Sequence, residues 1–270
     1  MSAKTASERI AEYLRINPDK ETRRIGSFIS EVFRKAGANW AIIGMSGGVD
    51  SSVVASLAAR ALGGKSVLGI SLPESNVTDP HDVADAREVA TSLGIRFRII
   101  EISPAIQSLM GILPDKTGEN PLPLANLKPR IRMTVLYYYA NLLNGVVLGC
   151  GNRSEIRAGY FTKFGDGGAD LLPIGHLYKT QVLQLAGYLG VPRHIIGKKP
   201  SAGLWRGQTD EGELGIPYEK LDVIYAGLDL KLRPATIARC AGVDQDTVIK
   251  FIERERRTEH KLAPPTLLRP

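Results

Sequence analysis

The stretch at residues 40–52 constrains the fold of this chain more than any other. Residues 40–43, Trp-Ala-Ile-Ile, form a short apolar run that predicts a buried strand, and the apolar spacing of residues 53–62 predicts a helix. Gly47 and Gly48 lie between the two. Because glycine adopts backbone angles that are closed to other residues, the pair predicts a tight turn from strand to helix.

The same turn has the composition of an anion site. Its amides and the free N–H groups of the first helical turn would point outward together, where the helix dipole favours negative charge. Ser46, Ser51 and Ser52 add hydroxyl donors. Asp50 adds a carboxylate that would repel a bare phosphate, which suggests a bridging magnesium ion. The alternative is that the glycines only make the turn, but the serines, the aspartate and the strand-to-helix context together favour a phosphate site.

A second segment, Gly64-Lys65-Ser66, resembles the end of a lysine-bearing phosphate loop. Ala59 stands where that loop needs its first glycine, and the segment leads from a helix into a strand, which is the wrong order. We therefore predict a helix end and a connecting loop there.

Composition limits the classes of protein that fit. The chain has 270 residues with a net charge of +7, which favours polyanionic partners, either nucleic acid or phosphate-rich small molecules. Cys150 and Cys240 are the only cysteines and lie far apart, so zinc ribbons and dithiol chemistry are unsupported. No apolar run approaches the roughly 18 residues needed to cross a bilayer, and the N-terminus lacks an apolar signal core. These features predict a cytoplasmic location without a membrane association.

Strand and helix patterns alternate along the chain. Further strands are predicted at residues 66–72, 96–102 and 146–150, with helices between them at about 79–93 and 125–143 and a later helix at 178–189. Residues 112–124 and 159–175 are expected to be loops. The pattern predicts an α/β fold with a doubly wound, mostly parallel sheet, flanking helices and a small helical C-terminal appendage, a hairpin at about 217–260, in a single domain over residues 1–270. Ligands of such sheets bind beyond the carboxyl ends of the strands, where the glycine turn, residues 72–74 and residues 149–152 would meet.

Residues 46–51 resemble the pyrophosphate loop of the ATP pyrophosphatases, which split ATP between the α and β phosphates. Residues 148–155, 159–170, 172–179, 200–205 and 258–261 are similar to ammonia-dependent NAD synthetase, and the similarity runs from about residue 20 to 265. It implies a Rossmann-like fold of the adenine nucleotide alpha hydrolase type. The implied reaction is the last step of NAD biosynthesis, in which deamido-NAD is adenylated by ATP and amidated by ammonia to give NAD, AMP and diphosphate. The implied nitrogen source is ammonia or a separate donor protein.

The resemblance also implies roles for particular residues. Contacts to ATP would come from Gly44, Met45, Ser46, Gly47, Gly48, Val49, Asp50, Ser51, Cys150, Lys179 and Ser201. Contacts to deamido-NAD would come from Arg130, Lys163, Asp170, His260 and Lys261. Asp50 and Glu155 would hold Mg²⁺, and Asp166 would meet the ammonia, so that Asp166, Asp50 and Lys179 are the predicted catalytic residues. Taken without the resemblance, Glu155 would be interpreted as an ordinary exposed carboxylate near a helix start. Lys179 would be interpreted as an ordinary solvated lysine.

Some positions depart from the family pattern. Cys150 stands where threonine is common, so a hydroxyl contact to ATP would be lost. Residues 73–79 lack the arginine of many members. Arg132 lies close to Arg130, but helical spacing puts the two on different faces, so only one is expected to serve. Pro129 predicts that its helix begins close to Arg130 or is kinked there.

Alternative functions remain open from sequence. Residues 233–253 resemble a DNA-binding helix-turn-helix, although a terminal helical hairpin gives the same pattern, and we expect no nucleic-acid partner. A tRNA-thiolating enzyme or the amination half of GMP synthetase would share the pyrophosphate loop, as would a nucleotide-binding protein without chemistry. Absence of paired cysteines and the 159–170 segment argue against the first two. The resemblance implies a homodimer, with residues 135–143 as the candidate contact.

Overall fold

The computed structural model describes residues 4–115 and 120–268. Within them, the strands are β1 Trp40–Gly44, β2 Val67–Ser71, β3 Arg96–Ile99 and β4 Gly145–Leu148. The α-helices are α1 Ala6–Tyr13, α2 Pro18–Ala36, α3 Val49–Leu62, α4 Pro80–Ser92, α5 Ser103–Ile112, α6 Leu122–Leu143, α7 Arg153–Ala158, α8 Lys179–Leu189, α9 Arg193–Ile196, α10 Asp210–Leu214, α11 Tyr218–Asp229, α12 Pro234–Ala241 and α13 Gln245–Thr258. Short 3₁₀ turns lie at Gly64–Ser66 and Glu259–Lys261.

The strands form one parallel sheet in the order β3-β2-β1-β4. Ile42 in β1 lies opposite Leu68 of β2 and Val147 of β4. Because neighbouring strands run parallel and helices connect them, the predicted doubly wound α/β fold is confirmed. From β1 the chain continues to β2 and β3 on one side of the sheet and then returns to β4 on the other side of β1. The carboxyl end of β1 is therefore the position at which a ligand is expected.

Two hydrophobic cores cover the faces of this sheet. Ala41 and Ile43 point into a core shared with α2, α3 and α8, whereas Ile42 points into a core shared with α5 and α6. This split follows from the alternation of side chains along a strand. Since β1 is buried on both faces, it has to be apolar throughout, which is why its sequence was readable as a strand.

The C-terminal segment 217–260 forms three helices, α11, α12 and α13, rather than the two of a hairpin. Together with α1 they enclose a third core around Tyr225 and Phe251, whose rings lie 6.2 Å apart. The helices that resemble a helix-turn-helix, α12 and α13, bury Ile237 and Val248 in this core.

Boundaries near residue 120 differ from the prediction. α5, Ser103–Ile112, was not predicted, and it ends where the predicted loop at residues 112–124 was expected to begin. α6 begins at Leu122, three residues before the start predicted from its pattern, so Pro129 lies inside the helix and the alternative start near Arg130 is wrong. Part of the predicted loop, residues 116–119, lies outside the described residues. The segment Gly64–Ser66 is a 3₁₀ turn between α3 and β2, as the prediction of a helix end and loop requires.

Among residues 4–115 and 120–268, no helix combines the length and the apolar composition needed to cross a membrane.

Candidate active site

The glycine turn after β1 lies at the carboxyl end of the sheet and leads directly into α3. Gly47 has a φ of +79°, and a Cβ added there would lie 2.1 Å from the carbonyl oxygen of Asp82 in α4. Both the left-handed backbone and the close approach require glycine. Gly48 caps α3 without a side-chain hydrogen bond, so the amides of the first helical turn have no capping acceptor. The turn therefore presents free N–H groups at a helix N-terminus.

Serine hydroxyls hold the turn in this shape. The Oγ of Ser46 accepts from the Gly48 amide at 3.2 Å, and the Oγ of Ser51 donates to the Gly48 carbonyl at 3.1 Å. The two hydroxyl oxygens lie 3.3 Å apart. Ser46 is exposed while Ser51 is buried, which leaves the outer hydroxyl facing solvent. The remaining predicted members of the ATP loop, Gly44, Met45 and Val49, provide the end of β1 and the packing under the turn.

Four side chains meet beside the turn. The carboxylate of Asp50 pairs with the ammonium of Lys179, and its Oδ1 accepts from the Asn152 amide at 3.0 Å. Glu155 accepts at Oε2 from the backbone N–H of Asn152 at 3.1 Å. Residues from α3, from α7 with its cap, and from α8 are thereby joined. The structure thus brings together the predicted magnesium ligands, Asp50 and Glu155, with the predicted ATP lysine.

This cluster carries an excess of negative charge. Burial raises the pKa of the Glu155 carboxyl well above its usual value, and the negative charge of Asp50 adds to the shift. Burial alone would lower the pKa of Lys179, but the Asp50 and Glu155 carboxylates outweigh it and raise that pKa. Lys179 is only 3% exposed. It is a buried charge with partners, not the solvated lysine of the alternative interpretation.

Asp210, at the start of α10, is a member of this cluster that the sequence analysis missed. Its Oδ2 accepts from the Tyr218 hydroxyl at 3.1 Å, while its buried Oδ1 has no partner among the described residues. Burial raises the pKa of the Asp210 carboxyl, and the charge of Lys179 acts in the opposite direction. A third acidic group close to a single ammonium therefore leaves the site short of positive charge.

Cys150 lies at the end of β4, beside the turn. Its Sγ is 3.8 Å from the Gly44 carbonyl oxygen. Burial raises the pKa of this thiol, so it stays protonated and offers no nucleophile at neutral pH.

A second group of predicted residues gathers on the loop that follows α7. The ammonium of Lys163 donates to the His260 carbonyl at 2.7 Å, and Lys261 donates to the carbonyls of Gly159 at 2.7 Å and Phe161 at 2.9 Å. Arg130 donates to the Lys163 carbonyl at 3.3 Å. The chain segment after α13 is thus fastened to the 159–163 loop, and four of the five predicted deamido-NAD residues lie together.

Asp166 lies in the turn that closes this loop. It accepts a hydrogen bond from the Thr162 amide at 2.8 Å. The residue as a whole is exposed, yet the protein atoms around its carboxyl raise its pKa, and hydrogen bonds and the charges of Lys261 and Arg132 partly offset this rise. Arg132 is mostly buried and donates to the Leu72 carbonyl at 3.1 Å, whereas Arg130 is exposed, so the two occupy different helix faces.

Two predicted residues are placed differently. Both carboxyl oxygens of Asp170 accept hydrogen bonds from the protein itself, one from Tyr137 at 3.0 Å and one from the Val147 amide at 2.7 Å. Ser201 is exposed and accepts from the Gly203 amide at 3.1 Å. Neither residue is joined to the Asp50 cluster by these bonds.

Comparison with known proteins adds independent findings. A family model described as NAD synthase matches residues 21–265. The NH(3)-dependent NAD(+) synthetase of Archaeoglobus fulgidus is 48% identical over 255 residues, which cover 94% of this chain and 98% of that protein. The structure of NMN synthetase from Francisella tularensis has a TM-score of 0.82 at 33% identity and covers 94% of this chain and 99% of its own. The NH3-dependent NAD synthetase from Campylobacter jejuni in complex with the nitrate ion has a TM-score of 0.78 at 28% identity, covering 94% and 100%.

Proposed function

The chain belongs to the NAD synthase family, and we propose that it converts deamido-NAD to NAD with ATP and ammonia at the site between the glycine turn and the 159–170 loop. The observation that carries this assignment is the meeting of Asp50, Glu155 and Lys179 beside an uncapped helix N-terminus. Such an arrangement suits a triphosphate with its cation, because N–H groups and an ammonium face the anion while carboxylates face the cation.

The donor set fits magnesium. Mg²⁺ prefers oxygen ligands and uses one or two carboxylates together with phosphate oxygens, and Asp50 and Glu155 supply carboxylates from α3 and α7. Burial and, after it, the negative charge of Asp50 raise the pKa of Glu155, and the Lys179 ammonium offsets only part of this, so a divalent cation would stabilise the ionised carboxylate. Magnesium bound there would neutralise the phosphate oxygens during adenylation.

The first step forms the acyl adenylate. A carboxylate oxygen of deamido-NAD bonds to the α phosphorus of ATP as the bond from that phosphorus to the bridging oxygen breaks, and diphosphate leaves. The amides of the glycine turn and of the first turn of α3 would hold the phosphates in line for this displacement. The ammonium of Lys179, which pairs with Asp50 beside the turn, would neutralise charge on the phosphates.

The second step consumes ammonia. Ammonia adds to the activated carbonyl carbon, a proton leaves the nitrogen, and AMP departs with the electrons of the broken C–O bond. Asp166 would accept this proton, because the crowding that raises the pKa of its carboxyl makes its carboxylate a stronger base. Arg130, Lys163, His260 and Lys261 would bind deamido-NAD at the loop that carries Asp166, and Asp170, whose carboxyl accepts from the Val147 amide of β4, remains a proposed contact to deamido-NAD. Ser201 and Cys150 remain proposed ATP contacts.

We further propose a homodimer. Tyr138 and Leu142 lie four residues apart on α6 and are 62% and 61% exposed, within the 135–143 stretch predicted as the contact. Large apolar side chains on one helix face are typical of a protein interface. Sedimentation of the wild type and of Tyr138→Glu tests this proposal. We expect the wild type to be a dimer and the introduced charge to separate it into monomers. A monomeric wild type would contradict the proposal. The cytoplasmic location stays a prediction.

The decisive experiment incubates the protein with ATP, MgCl₂, ammonium and deamido-NAD. We expect NAD and AMP in equal amounts. Parallel reactions contain the deamido form of NMN, because an NMN synthetase is among the similar structures, and xanthosine monophosphate, which tests the GMP synthetase alternative. Faster amidation of either alternative acid would overturn the proposed substrate, and diphosphate release without any amide product would overturn the proposed reaction.

A further inference from the structure

Asn152 is the residue before α7 and is fully buried. Its Oδ1 accepts from the Glu155 amide at 3.1 Å, and its own N–H donates to Glu155 Oε2 at 3.1 Å. This reciprocal pair is a capping box, which fixes the start of a helix. Here it also fixes the side chain of Glu155, because one carboxyl oxygen is held by the cap.

A third contact exceeds what a helix cap needs. Asn152 Nδ2 donates to Asp50 Oδ1 at 3.0 Å, although Asp50 lies on α3, 102 residues earlier in the chain. Serine, threonine and aspartate cap helices as well as asparagine does. Only asparagine adds an amide N–H on the side opposite the capping oxygen. The orientation of the amide is fixed, since Oδ1 faces the Glu155 N–H.

We propose that Asn152 is a positioning residue for the cation site. It keeps the carboxylates of Asp50 and Glu155 in one arrangement before a cation arrives, through the amide donor on the first and the capping box on the second. This inference rests on the proposed function, in which Asp50 and Glu155 hold magnesium. Hydrogen-bond partners that orient metal ligands affect affinity strongly: their removal typically weakens metal binding by about 10–100-fold.

The test uses Asn152→Ser, which keeps a capping oxygen and removes the amide donor. The matched control is Asn17→Ser, since Asn17 caps α2 through the same Oδ1 contact, to the Lys20 amide at 3.0 Å, on an exposed position. Mn²⁺ binding is measured by electron paramagnetic resonance with the non-hydrolysable α,β-methylene-ATP. We expect Asn152→Ser to bind Mn²⁺ about 10–100-fold more weakly and Asn17→Ser to bind it like the wild type.

Kinetics supply a second readout. We expect Asn152→Ser to raise the KM for Mg²⁺ and to recover most of its kcat at saturating Mg²⁺, because the ligands themselves remain. A merely structural loss would lower kcat at every Mg²⁺ concentration. Asn152→Thr, which also caps, replaces the serine variant if circular dichroism shows that the serine variant is unfolded. Failure of both variants to fold would assign Asn152 to stability and overturn the proposal.

Asp50→Asn and Glu155→Gln separate this inference from the proposed function. Wild-type Mn²⁺ affinity in both would refute the cation site itself. If both lose Mn²⁺ while Asn152→Ser retains wild-type affinity, the site stands and the positioning role of Asn152 is refuted.

Discussion

Replacing Gly47 by alanine tests whether the shape of the glycine turn controls the chemistry. A Cβ at Gly47 would lie 2.1 Å from the Asp82 carbonyl oxygen, whereas real Cβ contacts are essentially never shorter than 3.0 Å. The turn or the start of α4 would therefore have to move by about 1 Å, and a shift of that size at reacting groups costs about 100-fold in rate. We expect kcat/KM for diphosphate release to fall by about 100-fold, with a further loss of about 1–2 kcal/mol in the free energy of unfolding from the left-handed backbone.

Gly190→Ala isolates the backbone contribution. Gly190 has a φ of +80°, close to the +79° of Gly47, but nothing lies within 4 Å of its added Cβ. It ends α8, far from Lys179 at the start of that helix. We expect the melting temperature of this control to fall by about 2–8 °C while its kcat/KM stays at the wild-type value. Equal kinetics and equal melting temperatures for the two variants would refute the contact with Asp82 as the reason for glycine at position 47.

Three further predictions concern charged and titrating groups. Lys179→Met removes the buried ammonium that pairs with the half-buried carboxylate of Asp50, so urea titration should show a loss of about 3 kcal/mol in unfolding free energy; a loss below about 1 kcal/mol would contradict a stabilising ion pair. Burial, with a contribution from Asp170, raises the pKa of Tyr137 to about 12. Because the unfolded tyrosine ionises near pH 10, the folded protein should lose stability from pH 10 to 12, by about 1–2 kcal/mol after solvent screening of this partly exposed ring. Tyr137→Phe should lack that loss in pH-dependent unfolding, and identical slopes would refute it. Asp166→Asn should slow NAD formation by about 10²–10⁴-fold but leave ATP–diphosphate exchange with deamido-NAD intact, and equal loss of both would place Asp166 in the adenylation step.

The parts of the fold that were predictable are those written locally in the sequence. β1 is apolar on both faces, and the Gly47 turn and α3 follow it directly, so strand, turn and helix could be assigned from one continuous stretch. β2 and β4 are likewise apolar and buried, whereas β3 is largely exposed and was predicted from its alternating pattern. α6 was predicted at about 125–143 and runs over Leu122–Leu143, and only the start near Arg130 that Pro129 suggested is wrong, because the helix continues through that proline.

The parts of the site that were not predictable depend on contacts between distant segments. Asp50 was indicated by the composition of the turn, Glu155 could be assigned only through the family resemblance, and the link between them through Asn152 is a tertiary contact. A local signal existed, since Asn152 followed three residues later by Glu155 matches a capping box. Asp210 had no such signal: its place near Lys179 follows from the packing of α11 against α8 and from its hydrogen bond to Tyr218 at the start of α11.

The alternation of side chains along β1 fixes the length of the strand that leads to the glycine turn. Ala41 and Ile43 belong to one core and Ile42 to the other, so inserting or deleting a single residue in the strand would exchange the two sides. Such a change would also move Gly47 away from its position against the backbone carbonyl of Asp82. Natural variation in length should therefore be found in surface connections and be absent between Trp40 and Gly47.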